Sequence, residues 1–407
     1  MDVAQESVVI IGAGLAGFHL ASQLAQRGYA GHVTLIGEEP WPPYDRPPLS
    51  KQFQLDGDEP ALWLSPQLPA NLVQLRQRKA EVIDVGRREV VLDDGSRIVW
   101  DRLVLATGTR PRRLTHLADS SRVHYLRTLD DARTIRKALQ CGSSLLVIGG
   151  GPIGLELAAT AASLGLQCSV VEVGQRLMSR SVPAPMAQLL LEHHRSQGIA
   201  VHFGRTVVAV DDTAAEAVLD DGQRVPAALV VVGVGVQAND ELASRAGIAC
   251  DDGLFVDGWC RTTAPNVFAV GDVTRQRNPV NGRFERIETW SNAQGQAQAL
   301  AAMLCNPAEA PPFNAVPWFW SDQGSARLQC TGTVQCDSHA WRIDPASGAR
   351  VLVQWTEGRV TGVAALNAPR DFVQLKRLIV ARATITAEQL NEPQTNLRDL
   401  VQQALAG

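Results

Sequence analysis

Two glycine clusters carry one phosphate-binding signature twice, about one domain apart. They are Gly12-Ala13-Gly14-Leu15-Ala16-Gly17 and Gly149-Gly150-Gly151-Pro152-Ile153-Gly154. Each follows a short apolar run, at 8–11 and 145–148. Each reads as a strand, a tight turn and then a helix. The first glycine permits the turn, the second lets the backbone approach a pyrophosphate, and the third lets the helix pack on its strand. The unpaired N–H groups and positive dipole end of such a helix attract phosphate. An acidic residue follows each unit: Glu38 lies 21 residues past Gly17, and Glu172 lies 18 past Gly154. Carboxylates so placed accept hydrogen bonds from an adenosine ribose. One unit would indicate a dinucleotide enzyme, whereas two indicate that two dinucleotides meet and exchange electrons. Glu172 would repel a 2′-phosphate, so the second unit should prefer NAD(H) to NADP(H). Arg176, just beyond it, is assigned to the adenine or pyrophosphate.

The segments that must position these residues alternate between strand and helix. After the first glycines a helix over 18–27 leads to a strand over 33–37, and after the second a helix over 155–164 leads to a strand over 168–171. Further strands close the nucleotide units at 102–108, 228–235 and 266–272, and a helix runs over about 291–304. Pro307, Pro311 and Pro312 mark a break, after which strands at 326–330, 351–355 and 360–365 precede helices at 371–381 and 397–406. The pattern predicts an α/β protein with two Rossmann-like dinucleotide-binding domains, one inserted in the other, and a C-terminal α+β domain. The expected domains are 1–111 with 239–316, 112–238, and 317–407. The glycine sites are the only internal repeat evident in the residues.

At 407 residues the chain is too long for a single core. A net charge of −4 disfavours nucleic-acid binding. The first strand begins within about seven residues, with no signal sequence before it and no apolar run long enough to span a bilayer. A cytoplasmic protein without a membrane partner is expected. The seven cysteines form no C-x-x-C pair and no metal-ligand spacing, so no metal site and no redox disulfide are expected. His19, His193, His194 and His202 lie in ordinary segments and read as structural or surface groups.

The glycine units, Ala106-Thr107-Gly108 and Val270-Gly271-Asp272 together resemble the flavoprotein disulfide reductase superfamily. Within it, Pro43-Tyr44-Asp45-Arg46-Pro47-Pro48-Leu49-Ser50-Lys51, Glu288-Thr289-Trp290-Ser291-Asn292-Ala293 and Trp318-Phe319-Trp320-Ser321-Asp322-Gln323 are similar to the oxygenase-coupled NADH–ferredoxin reductases, such as those of biphenyl and toluene dioxygenase systems. The resemblance covers the whole chain. It implies FAD in the first site, NADH in the second, and electron transfer to a small [2Fe-2S] ferredoxin, Rieske-type, that feeds a terminal aromatic-ring oxygenase.

The resemblance also implies roles. Asp272, after Gly271, accepts from the ribitol of FAD, while Ala106, Thr107 and Gly108 lie near its pyrophosphate, with Arg110 reaching the same phosphates or solvent. Lys51 lies near flavin N5 and Arg46 near the flavin edge or phosphates, on a loop stiffened by Pro47 and Pro48. Glu156 pairs with the lysine, and the couple stabilises a reduced, anionic flavin. Strand alternation puts Trp318 and Trp320 on one face, with Trp320 towards the active site. Trp290 is a neighbour of the flavin or part of the core. Gly235 closes the second nucleotide site. Lys51, Glu156 and Trp320 are therefore the catalytic candidates. Arg275, Arg277, Arg283 and Arg286 form a candidate docking patch for an acidic ferredoxin. The alternatives are a reductase for another carrier (a P450-linked ferredoxin, a rubredoxin, a quinone), the cytochrome-P450 ferredoxin reductases sharing most of these motifs, and an NADH-sensing role resembling the apoptosis-inducing flavoproteins.

Overall fold

The computed structural model describes residues 6–64, 72–391 and 396–406. The chain divides into two compact units: 1–45, 60–110 and 237–317 form the first, and 46–59, 111–236 and 318–407 form the second. The segment 46–59, inside the run expected for the first domain, packs with the second unit.

The first unit is built on a five-stranded parallel sheet in the order Val267–Ala269, Arg102–Leu105, Val8–Ile11, Val33–Gly37, Leu72–Arg76. Its central strand, Val-Val-Ile-Ile, is buried throughout. That is the composition of a strand covered on both faces rather than one. The helix Leu15–Gln26 follows at once and turns Phe18, Leu20, Ala21 and Leu24 inward, where they share a core with Ala297, Leu300, Ala301 and Leu304 of the helix Trp290–Cys305. It starts three residues before the position expected from periodicity, because the glycine turn itself supplies its first turn.

The second unit repeats this plan. Its parallel sheet runs Ala200–Phe203, Gln167–Glu172, Ser144–Ile148, Leu229–Val232, Val123–Tyr125. Again the central strand precedes the glycines. The likeness extends beyond the glycine sites. In each unit a three-stranded antiparallel meander, Ala80–Val99 or Val207–Pro226, lies in the chain between an edge strand, Leu72–Arg76 or Ala200–Phe203, and a strand beside the centre, Arg102–Leu105 or Leu229–Val232. Both meanders turn on the same residues, Leu92-Asp93-Asp94-Gly95 and Leu219-Asp220-Asp221-Gly222, with the glycines at φ 80° and 85°. Asp-Gly between alternating apolar residues is a hairpin signal. The repeat is therefore larger than the two glycine sites.

The second unit also holds an antiparallel sheet in the order Trp318–Gln323, Ala326–Gly332, Arg359–Leu366, Arg350–Thr356, Ser338–Ile343. The helix Pro369–Ala381 begins on a proline, whose missing N–H would be unpaired there anyway, and buries Phe372, Leu375, Leu378 and Ile379. The strand Ser338–Ile343 is not evident from composition, because it lies at the sheet edge with the polar Ser338 and His339 exposed beside Ile343.

One buried polar cluster fixes a turn of the first unit. Gln296 is fully buried. Its Oε1 accepts from the Gly271 N–H at 2.7 Å, and its Nε2 donates to Thr274 Oγ1 at 3.0 Å and Gln276 Oε1 at 2.6 Å. Gln276 Nε2 in turn donates to Asn292 Oδ1 at 2.6 Å. Gln296→Leu would leave several of these groups buried without partners, at about 1–3 kcal/mol each. A thermal melt should show the variant destabilised by at least about 2 kcal/mol. A melt within error of the parent would exclude the cluster as a structural support.

Candidate functional site

In the first unit the strand Val8–Ile11 delivers the chain into the glycine turn. Gly12 has φ +112°, and a methyl group there would stand 2.1 Å from the Ala106 carbonyl oxygen. Only glycine fits, because the turn is pressed against the end of the strand that carries Ala106, Thr107 and Gly108. Gly14 is the opposite case: a methyl group there would meet nothing within 4 Å. Gly14 caps the helix Leu15–Gln26 with no side-chain hydrogen bond, and the helix has no acidic residue in its first turn. Its first N–H groups, those of Leu15, Ala16 and Gly17, therefore have no side-chain acceptor at the cap. This cradle fits a pyrophosphate. Glu38 is exposed at the end of the next strand.

The other expected first-unit residues gather around linked turns. Thr107 donates its hydroxyl to the Asn239 carbonyl at 2.7 Å, and Asn239 Nδ2 donates back to the Thr107 carbonyl at 2.8 Å. The Thr107 hydroxyl is thus taken up in holding the turn. Arg110 is likewise occupied: it pairs with Glu241 and donates to Asn239 Oδ1 at 2.8 Å. Gly271, at φ +81°, precedes a half-buried Asp272, and the Gln296 cluster holds this turn from below. Trp290 Nε1 donates to Asp45 Oδ1 at 2.9 Å. Burial pushes the Asp45 carboxyl up, and the indole bond partly offsets this. Of the four arginines expected as a docking patch, two are engaged by local acids. Arg275 pairs with Asp251 at 2.6 Å, and Arg286 with Glu288 at 2.7 Å and Asp252 at 3.3 Å. Arg277 and Arg283 are exposed.

In the second unit Gly149 takes φ +107° and faces the Gly233 carbonyl as Gly12 faces Ala106. Gly151 caps the helix Pro152–Ser163, again with no side-chain bond, and Pro152 stands at its start; Ile153 is exposed and Gly154 is buried against Val147. Glu172, expected to accept from a ribose, is engaged by the turn itself. Its Oε2 accepts from the Gly150 N–H at 2.6 Å and its Oε1 from the Gly174 N–H at 2.6 Å. The carboxylate ties the glycine turn to the strand end, and each oxygen keeps a second lone pair for a hydroxyl. Arg176 donates to the carbonyls of Val182 and Ser179 at 2.6 and 2.7 Å, so it braces its own loop. Gly235 has φ +104° and lies beside the Arg180 guanidinium. Arg46 donates to the Arg127 carbonyl at 3.2 Å.

Lys51, Glu156 and Trp320, the three catalytic candidates, meet in this unit. Lys51 Nζ lies 3.2 Å from Glu156 Oε1 and 3.5 Å from Asp322 Oδ2. It also stands 5.7 Å from the centroid of the Trp320 ring, within cation–π range. Trp318 and Trp320 share a face, with centroids 5.7 Å apart. The Lys51 side chain is 16% exposed and that of Glu156 6%. Burial pushes the Glu156 carboxyl up; Lys51 and the hydroxyls of Ser50 and Ser321 pull it back. Ser50 Oγ donates to Glu156 Oε2 at 2.5 Å and Ser321 Oγ to Oε1 at 2.7 Å. Ser50, Ser321 and Asn239 were absent from the sequence-derived set. Only the two serines gave a signal, each standing next to a residue that was chosen.

Cys168 is pushed up to about 12 by burial, and burial raises Cys260 and Cys330 as well. These thiols are not thiolate nucleophiles near neutral pH. Among the described residues, no cluster of His, Cys, Asp or Glu is placed to hold a metal, and no helix is long and apolar enough to cross a membrane.

Comparison with known proteins agrees with this geometry. Residues 6–297 match the pyridine nucleotide-disulphide oxidoreductase family, and residues 318–401 match the reductase C-terminal domain. The chain is 38% identical to the ferredoxin–NAD(+) reductase component of the p-cumate 2,3-dioxygenase system of Pseudomonas putida, covering 96% of this chain and 98% of that one. It is 36% identical to the corresponding component of the biphenyl dioxygenase system of Paraburkholderia xenovorans, covering 97% and 98%. It also resembles putidaredoxin reductase as seen in its covalent complex with putidaredoxin: 34% identity, 99% of each chain covered, TM-score 0.93.

The two glycines of the first turn should separate fold from binding. Gly12→Ala should give little folded protein. Gly14→Ala should melt within about 1 kcal/mol of the parent yet carry less flavin absorbance per mole of protein. Equal flavin content in Gly14→Ala and the parent would show that nothing approaches this turn closely.

Proposed function

Because the chain belongs to the pyridine nucleotide-disulphide oxidoreductase family, we propose that it is an FAD-dependent NADH:ferredoxin oxidoreductase that serves a terminal aromatic-ring oxygenase. The observation that carries this reading is similarity over nearly the whole chain, including the C-terminal domain, to ferredoxin–NAD(+) reductase components of two aromatic dioxygenase systems. FAD and NAD(H) are its cofactors. When bound, FAD would supply the chemistry of hydride acceptance from NADH and one-electron release to a ferredoxin.

The chain's own residues bind, orient and set charge. In this reading the domain 1–111 with 239–316 holds FAD, 112–238 holds NADH, and 317–407 is the C-terminal domain. Gly12, Gly14 and Gly17 admit the FAD pyrophosphate to the helix terminus, Glu38 takes the adenosine ribose, and Asp272 takes the ribitol. Gly149, Gly151 and Gly154 do the same for NADH, with Glu172 both bracing the turn and accepting from the ribose. Lys51 supplies a fixed positive charge that favours the reduced, anionic flavin, and Glu156 keeps that lysine in place. Trp320 covers the lysine. No side-chain acid or base is needed for hydride transfer.

The carrier is a ferredoxin. A [2Fe-2S] protein of the Rieske type suits an aromatic-ring oxygenase, docked near Arg277 and Arg283, the two members of the arginine cluster that stay exposed. A P450-linked ferredoxin is the second reading, favoured by the likeness to putidaredoxin reductase.

Anaerobic stopped-flow tests the reading. NADH should bleach the flavin at least about tenfold faster than NADPH, since Glu172 repels the added phosphate. Added Rieske-type ferredoxin should then be reduced rapidly. That second step, unlike the first, should slow as salt rises, because docking of unlike charges is screened. Slow bleaching with no ferredoxin turnover would overturn the assignment. A preference for a P450-linked ferredoxin over the Rieske type would select the second reading.

A further inference from the structure

The Lys51–Glu156 pair is the end of a longer chain of buried polar groups in the second unit. Ser321 and Gln323 lie on the strand Trp318–Gln323, at the edge of its sheet, and both are fully buried. His194, on the helix Ala184–Ser196, is fully buried too. His194 Nε2 lies 2.7 Å from Gln323 Oε1, Gln323 Nε2 lies 3.1 Å from Ser321 Oγ, and Ser321 Oγ lies 2.7 Å from Glu156 Oε1. His193 Nε2, 3.0 Å from the Gln323 carbonyl, fixes the strand end beside them.

The direction of each bond follows from its neighbours. The Gln323 amide nitrogen faces two acceptors, Ser321 Oγ and Met178 Sδ at 3.4 Å. Its oxygen therefore faces the imidazole and accepts from Nε2–H. Burial pushes the His194 ring down to about 4, so it is neutral near pH 7. Neutral, it carries its single proton on Nε2, and Nδ1 is left buried without a partner. A bare buried nitrogen is unfavourable. The ring is oriented for its Nε2–H. Because Ser321 Oγ already accepts from Gln323, its own hydrogen is directed at Glu156.

We propose that His194 and Gln323 are positioning residues for the Lys51 site: together they hold Ser321 as a donor to Glu156, which points that carboxylate at Lys51. Neither touches the lysine. Without them the Ser321 hydroxyl is free to turn, and Glu156 loses one of the bonds that offset its burial. The importance of the lysine rests on the function proposed above, whereas the donor chain does not. The experiment therefore reads Glu156 rather than turnover, so the two can fail separately.

The test uses the full-length FAD-loaded protein made with 13C-carboxyl glutamate, with the Glu156 resonance identified by its loss in Glu156→Gln. The signal is followed against pH. The charged and titratable groups around it are Lys51, Asp322 beyond the lysine, and His193 and His194 at the far end of the chain. In Gln323→Leu the Glu156 carboxyl should hold its proton about tenfold more tightly, a rise of about one pH unit. Ser321→Ala should move it the same way. His194→Leu should also raise it, whereas His194→Gln, which can keep a donor near the Nε2 position, should restore the parent titration. A parent-like titration in folded Gln323→Leu would overturn the proposal. If that variant does not fold, a parent-like titration in Ser321→Ala would overturn it. Equal titrations in His194→Leu and His194→Gln would remove the histidine from the chain.

Discussion

The arrangement of the second unit depends on a largely buried ion pair. Taking Lys51 and Glu156 out of water is unfavourable, and their attraction compensates only if the remaining lone pairs and protons are satisfied. Ser50 and Ser321 meet that demand, one on each carboxylate oxygen. The pair therefore requires three distant segments to converge: the proline-stiffened loop with Ser50 and Lys51, the helix Pro152–Ser163 with Glu156, and the edge strand Trp318–Gln323 with Ser321. This gives a physical reason why 46–59 belongs with the second unit although the residues before and after it fold with the first. Lys51 also faces Asp322, which is 41% exposed, so one side of the cation remains open to water.

The two glycine turns solve a different problem by the same means twice. Each puts an uncapped helix terminus at the end of a buried strand and removes the side chain that would fill the space before it. The units differ in what supports the turn. The first relies on the neighbouring strand end and on the Gln296 cluster under Gly271. In the second, Glu172 itself bonds the glycine loop through Gly150. A substitution at Glu172 would consequently disturb the turn as well as any contact to a nucleotide. The glutamate is a support of the turn before it is anything else.

What was legible in the sequence was local. Apolar runs gave Val8–Ile11 and Val33–Gly37 to the residue and Ser144–Ile148 to within one, because strands buried on both faces need little else. Both nucleotide-unit helices start three residues earlier than their periodicity indicates, since the ends of the glycine motifs, Leu15-Ala16-Gly17 and Pro152-Ile153-Gly154, lack that periodicity yet are already helical. The meanders were missed although their matching Asp-Asp-Gly turns were present, because their strands are short and half-exposed. The pairing of Lys51 with Glu156 was reachable only through family resemblance. Ser321 and Gln323 were visible only as members of the Trp318–Gln323 motif, and His194 carries no sign of a role: a histidine in an amphipathic helix looks structural until the strand carrying Gln323 is seen against it. The arginine cluster shows the converse. Four positive residues near in sequence suggested a patch, but Asp251, Asp252 and Glu288 neutralise two of them in the fold.

The central claim is that a lysine held by Glu156 sets the stability of the reduced flavin. The most direct measurement is the two-electron midpoint potential of the bound flavin in the parent and in Lys51→Met, by anaerobic spectroelectrochemistry. The potential should fall in the variant, by about 30 mV for each tenfold loss of preference for the reduced form. An unchanged potential in a folded, flavin-loaded Lys51→Met protein would contradict the claim.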